Sequence, residues 1–238
     1  MNVHIEKIYP SNALEAQADQ IIFLRHSLEQ SPDYAPNIMP MLFAKAPPQS
    51  RQRWDSNFFL DLTKHHVEAA LKLKQKGFKT CVLASDNDGC LQKALSPRFS
   101  TDNLIKRMES LCNIYEALKA VIDDVWVLLN IEELAPGGFD ATDGVQVAQK
   151  LENLGLKNII ISAGTHDFLP LYDRRPTQKK SSQEEDFCSR EPNLASSLWA
   201  LEHTSLNVYS LSFIHDPLHA LALAKALGLA GVINKSSN

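Results

Sequence analysis

Short apolar runs alternate along this chain with longer stretches in which apolar residues recur every three or four positions. Five runs are continuous: 80–84 (TCVLA), 125–129 (VWVLL), 158–162 (NIIIS), 208–211 (VYSL) and 231–234 (GVIN). A strand covered on both faces, as in a parallel sheet, requires that continuity. Between the runs, residues 59–76, 104–121, 141–154 and 218–227 carry the spacing of amphipathic helices. Gly77, Gly155 and Gly228 stand where such helices end before a strand, and Asp216-Pro217 offers an N-cap followed by a proline at the first helical position. The repeated strand–helix order predicts right-handed βαβ units. A closed barrel and an open doubly wound sheet both fit that order.

The first sixty residues are less regular. Residues 3–9 (VHIEKIY) alternate apolar and polar, 20–24 (QIIFL) read as a strand, and 38–44 (IMPMLFA) read as a weaker one interrupted by Pro40. These bring the strands to eight, the number a β/α barrel needs. With only six, two strand edges would require a cover. Residues 46–54 (APPQSRQRW) and 173–193, which include QKKSSQEED, read as loops.

Composition narrows the class. The 238 residues are 44% hydrophobic and 22% charged, the profile of a globular α/β protein. The net charge of −4 is spread along the chain, so no basic patch points to nucleic acid. No apolar run approaches the roughly 18–20 residues of a membrane span, and the first residues lack the apolar core of a secretory signal. The four cysteines, Cys81, Cys90, Cys112 and Cys188, form no C-x-x-C pair, so free thiols and a cytoplasmic setting are expected. His65-His66 lies in a helical pattern and reads as surface or helix packing. No metal-ligand spacing stands out.

Several motifs in order resemble the Old Yellow Enzyme family of FMN-dependent oxidoreductases. Gly77-Phe78 leads into TCVL and then ASDNDGCLQKALSP, ending at Pro97. Arg107-Met108 follows, then Pro136-Gly137-Gly138-Phe139 with DATDGVQVAQKLENLGLKNIIIS, then Ser162-Ala163-Gly164-Thr165, Asp216-Pro217 and Gly228-Leu229-Ala230. The likeness runs over roughly residues 55–234. It implies an α/β fold, a TIM-type (β/α) barrel irregular in its N-terminal part, as one domain over 1–238 with a divergent segment 1–54.

The same likeness locates departures. The family's first substrate donor, normally His, corresponds to Ala84, and its second corresponds to Asn87, the one catalytic position that keeps the family's residue type. The proton-donating tyrosine falls at Gly89, and the arginine facing the flavin ring falls at Leu128. Ser212-Phe213 stand where the family places the Gly-Gly of its phosphate cradle, and Lys235 is the residue left to meet a phosphate. Trp126 or Phe213 is expected to fill the barrel mouth in the flavin's place.

Active sites of such barrels lie at the C-terminal ends of the strands. The candidate ligand-holding residues there are Asp86, Asp88, Asn130, Ser162, His166, Asp167 and Ser212. The expected function is a repurposed, non-catalytic barrel of Old Yellow Enzyme type that binds a small molecule or a protein partner, with no cofactor, no nucleic acid and no membrane; a homo-oligomer is compatible with it. One alternative is an FMN-dependent NAD(P)H oxidoreductase with an atypical site. The other is an unrelated small-molecule enzyme on the same fold.

Overall fold

The computed structural model describes residues 5–10, 21–26, 38–44, 56–86, 89–164, 192–212 and 217–235. All eight expected strands form: β1 (Ile5–Pro10), β2 (Ile21–His26), β3 (Ile38–Leu42), β4 (Thr80–Ser85), β5 (Asp124–Glu132), β6 (Asn158–Ala163), β7 (Asn207–Ser212) and β8 (Gly231–Lys235). They follow one another around a closed barrel in chain order, so the sheet has no open edge. From β2 to β8 each strand runs parallel to the next. β1 departs from the repeated βαβ order: it runs antiparallel to both β2 and β8, pairing Ile8 with Ile21 on one side and with Ile233 on the other. Apolar alternation is the same for a strand run in either direction, which is why the sequence pattern does not reveal this reversal.

The helices are α1 (Ser56–Gln75), α2 (Cys90–Leu95), α3 (Leu104–Lys119), α4 (Ala141–Asn153), α5 (Pro192–His203) and α6 (Pro217–Ala226). α1 buries Leu62, His66, Ala70 and Leu73, one side chain per turn, and packs chiefly on α3. Asn103 caps α3 by accepting from the backbone N–H of Lys106 at 3.0 Å, and Asp140 caps α4 by accepting from that of Asp143 at 2.8 Å. Arg107 joins three helices, donating to the Leu95 carbonyl at the end of α2 and pairing with Asp143 on α4 at 2.9 Å.

Two helices were not expected from periodicity. α2 is six residues long, too short to display a period. α5 begins inside the stretch read as a loop, with Pro192 at its first position, where a missing N–H is harmless. The main core lies between strands and helices, where Leu83, Val127, Leu129, Ile159 and Ile161 meet Leu111, Ile114, Leu118, Val147 and Leu151. Cys81 and Cys112 are free thiols buried there, and Cys90 is buried with them; Cys188 lies outside the described residues.

Candidate functional site

Successive strand residues point to opposite faces, so the residues that miss the outer core line the barrel's inside. Met41, Val82, Ala84, Trp126, Leu128, Ile160 and Leu211 form that separate inner cluster, with Phe43 and Tyr209 against it. The inward series on three adjacent strands then turns polar toward the C-terminal ends. Ala84 leads to Asp86, Leu128 to Asn130, and Ile160 to Ser162. All three polar residues are buried, and Asp86 keeps the most exposure, at 7%.

Their contacts confirm the inward direction. Ser162 Oγ donates to Asp86 Oδ1 at 3.2 Å, reaching from β6 to the end of β4 across the intervening β5. Side chains two strands apart meet in this way on the concave face of a barrel. Asn130 Nδ2 donates to the Gly164 carbonyl at 2.7 Å, fixing the amide beside the pair. The floor beneath is apolar, with Ala84 2% and Leu128 1% exposed.

A register shift in β5 between Asn130 and Glu132 re-aims the next two carboxyls into the rim. Glu132 accepts from Ser196 Oγ on α5, and its carbonyl accepts from the Gly164 N–H at 2.7 Å. Glu133 is buried and accepts from Ser96 Oγ at 2.8 Å and from the Phe139 N–H at 3.0 Å. Asn193, at the start of α5, accepts from the Ala163 N–H at 2.6 Å through Oδ1. Ser96, Asn193 and Ser196 were not singled out from the sequence. Only the Pro192 helix-start signal could have drawn attention to the last two.

Gly89 follows within the β4–α2 connection. An added Cβ there would lie 2.8 Å from the Asp86 carbonyl and 3.0 Å from the Phe43 ring, so the position has no room for a side chain. At Cys90, the next residue, burial pushes the thiol up to about 11, away from the thiolate form.

Trp126 lies inside the barrel but away from the mouth, so it is not the ring expected to fill the mouth; Phe213, the other residue named for that place, lies outside the described residues. Its Nε1 donates at 2.7 Å to Asp124, the first residue of β5, and its ring centroid is 4.8 Å from that of Tyr209. A buried indole N–H needs an acceptor, and the carboxylate at the start of the strand holds the ring near the barrel's N-terminal end. Burial and the Asp124 charge push the Tyr209 hydroxyl up.

Of the candidate residues, the structure brings together Asp86, Asn130 and Ser162. Ser212 ends β7 opposite Asn234, and Lys235 ends β8 opposite Glu6. Asn87, Asp88, His166, Asp167 and Phe213 lie outside the described residues. Among the described residues no group of His, Cys, Asp or Glu could hold a metal ion, and no helix is long and apolar enough to cross a membrane.

No family model matches the chain, and no curated protein sequence matches it. Solved structures do. A 2-naphthoyl-CoA reductase superposes with a TM-score of 0.60 at 18% identity, over 78% of this chain and 28% of its own. Morphinone reductase gives 0.59 at 10% identity, over 82% of this chain and 60% of its own. The Old Yellow Enzyme of Trypanosoma cruzi gives 0.58 at 12% identity, over 82% and 62%. The chain thus spans less than two thirds of each of these proteins. What it shares with them is the fold, an α/β barrel.

Proposed function

We propose that this chain is an Old Yellow Enzyme-type barrel that no longer carries out flavin chemistry and instead holds a small ligand at its mouth. The observation that carries this reading is the inner wall of β4 and β5. FMN of the type that the sequence resemblance implies needs hydrogen-bond donors for the substrate and a cation beside the ring, because reduction places negative charge there. At those places stand Ala84 and Leu128, a methyl and an isobutyl group packed into an apolar floor. The polar group just above them is the Asp86 carboxyl. The proton-donor position, Gly89, is walled by the Asp86 carbonyl and Phe43. The described residues therefore do not fit FMN.

The competing reading is an FMN-dependent NAD(P)H oxidoreductase. It draws on the fold shared with proteins named as reductases and on Asn87, which lies outside the described residues. One experiment separates the two. The purified chain, incubated with excess FMN and desalted, is expected to emerge colourless and without NAD(P)H oxidation activity. A yellow protein that retains one flavin per chain overturns the proposal. A cytoplasmic location and a small-molecule or protein partner belong to the same proposal.

A further inference from the structure

The outer surface of α5 and α6 carries more hydrocarbon than a helix layer facing water needs. An amphipathic barrel helix turns a polar face outward. In α6 (PLHALALAKA) only His219 and Lys225 are polar, and its exposed described side chains are Ala222, Lys225 and Ala226. On α5 the outward positions are Ala195, Leu198, Trp199 and Glu202, with Trp199 41% exposed. This indole is held in place. Its ring lies 4.2 Å from that of His203, whose Nδ1–H donates to the Trp199 carbonyl at 2.8 Å. Gln149 on α4 donates in turn to the His203 carbonyl at 3.0 Å. A fixed, partly exposed indole has little side-chain freedom left to lose on contact, and tryptophan is among the residues that dominate protein interfaces.

One charge of each sign stands on this face. Glu202 is the last residue but one of α5, Lys225 the last but one of α6, and both are exposed. Neither side chain has an ion-pair or hydrogen-bond partner among the described residues. Both helices return the chain from the end of one parallel strand to the start of the next, so they run in the same direction. Their C-terminal ends are neighbours: a Cβ built on Gly228 would lie 3.8 Å from Leu201 Cδ2. Glu202 and Lys225 therefore stand at the same level on two neighbouring helices. We infer that this face binds a second copy of the chain, about a two-fold axis running along the helices, so that α5 of each copy packs on α6 of the other. That symmetry sets Glu202 against Lys225 of the partner subunit and repeats the contact on the other side of the axis. An unrelated partner would need an apolar face with the charges in reverse order, whereas this surface is already its own complement. The inference is independent of what the barrel mouth holds.

Two helices make a small interface, so a dissociation constant of roughly 1–100 µM is expected. Sedimentation velocity on the full chain from about 1 to about 300 µM should show the mass rising from one chain to two. Glu202→Lys alone and Lys225→Glu alone each set like charges face to face twice per dimer, and each should weaken association about tenfold. Mixed in equal amounts, the two variants should associate as tightly as the parent, because each contact again joins opposite charges. Mixing cannot restore an ion pair formed within one chain. Trp199→Ala changes no charge and should weaken association about tenfold as well. A parent that stays monomeric to the top of that range overturns the inference. So does a dimer that the reversals or Trp199→Ala leave unchanged, or that mixing fails to restore.

Discussion

Inside α1, His66 is fully buried, and its Nδ1–H donates to the Leu62 carbonyl at 2.8 Å. Among the described residues its Nε2 has no partner. Desolvation holds this imidazole below its ordinary value of 6.5, with neighbouring His65 adding to the effect and the Leu62 hydrogen bond opposing it. As pH falls through 6.5, the unfolded chain takes up a proton that the folded form resists, so stability is lost from there down to the folded value. Each unit of lowering is worth about 1.4 kcal/mol. His66→Asn keeps an N–H for Leu62 but cannot take the proton. Urea denaturation at pH 7.5 and pH 5 should show a smaller acid loss for the variant than for the parent, and His65→Asn, which removes only the lesser contribution, should reduce the loss by less than His66→Asn does. At this scale the sequence is only partly legible. Strand ends place Asp86 and Ser162 at the mouth, but nothing in the residues 76 positions apart announces that they meet, since that depends on barrel curvature across β5.

Between β5 and α4 the packing distance is set by Gly144. A Cβ there would overlap the Ile131 carbonyl, so the helix lies against strand backbone with nothing between. Alanine is the better helix former by about 1 kcal/mol, which alone would make Gly144→Ala stabilising. The overlap is with main chain, which cannot rotate aside, and overpacking of that kind costs about 1–3 kcal/mol. The overlap is expected to win, with Gly144→Ala lowering the thermal midpoint by several degrees; a higher midpoint would show that α4 shifts freely. Elements of this kind were readable where burial is complete. β4 to β7 appear as unbroken apolar runs, and α3 and α4 as three-to-four periodicity with caps at Asn103 and Asp140. The irregularity at Asn130/Glu132 has no such signature, because one extra residue in a buried strand changes neither composition nor run length. It nevertheless decides where Glu132 and Glu133 point.

The barrel as a whole depends on its least regular strand. β1 bonds to β2 on one side and β8 on the other, so its removal would expose two unpaired edges at once. A chain lacking residues 1–10 is expected to self-associate or lose cooperative unfolding, which light scattering and thermal melts would register. A monomer with an unchanged melt would mean that seven strands close by themselves. Strand count and fold class were legible because eight apolar segments are what an α/β barrel of this size requires; the direction of β1 was not. That direction has a practical consequence. Since Glu6 lies beside Lys235, and Pro10 beside Gly231, residues 5 and 235 emerge on the same side as the C-terminal ends of the parallel strands. A chromophore attached ahead of Ile5 or behind Lys235 would hang over the opening, where an all-parallel barrel would carry its leading end at the far side. Joining the two positions and cutting elsewhere would give a circular permutant whose new ends leave this rim.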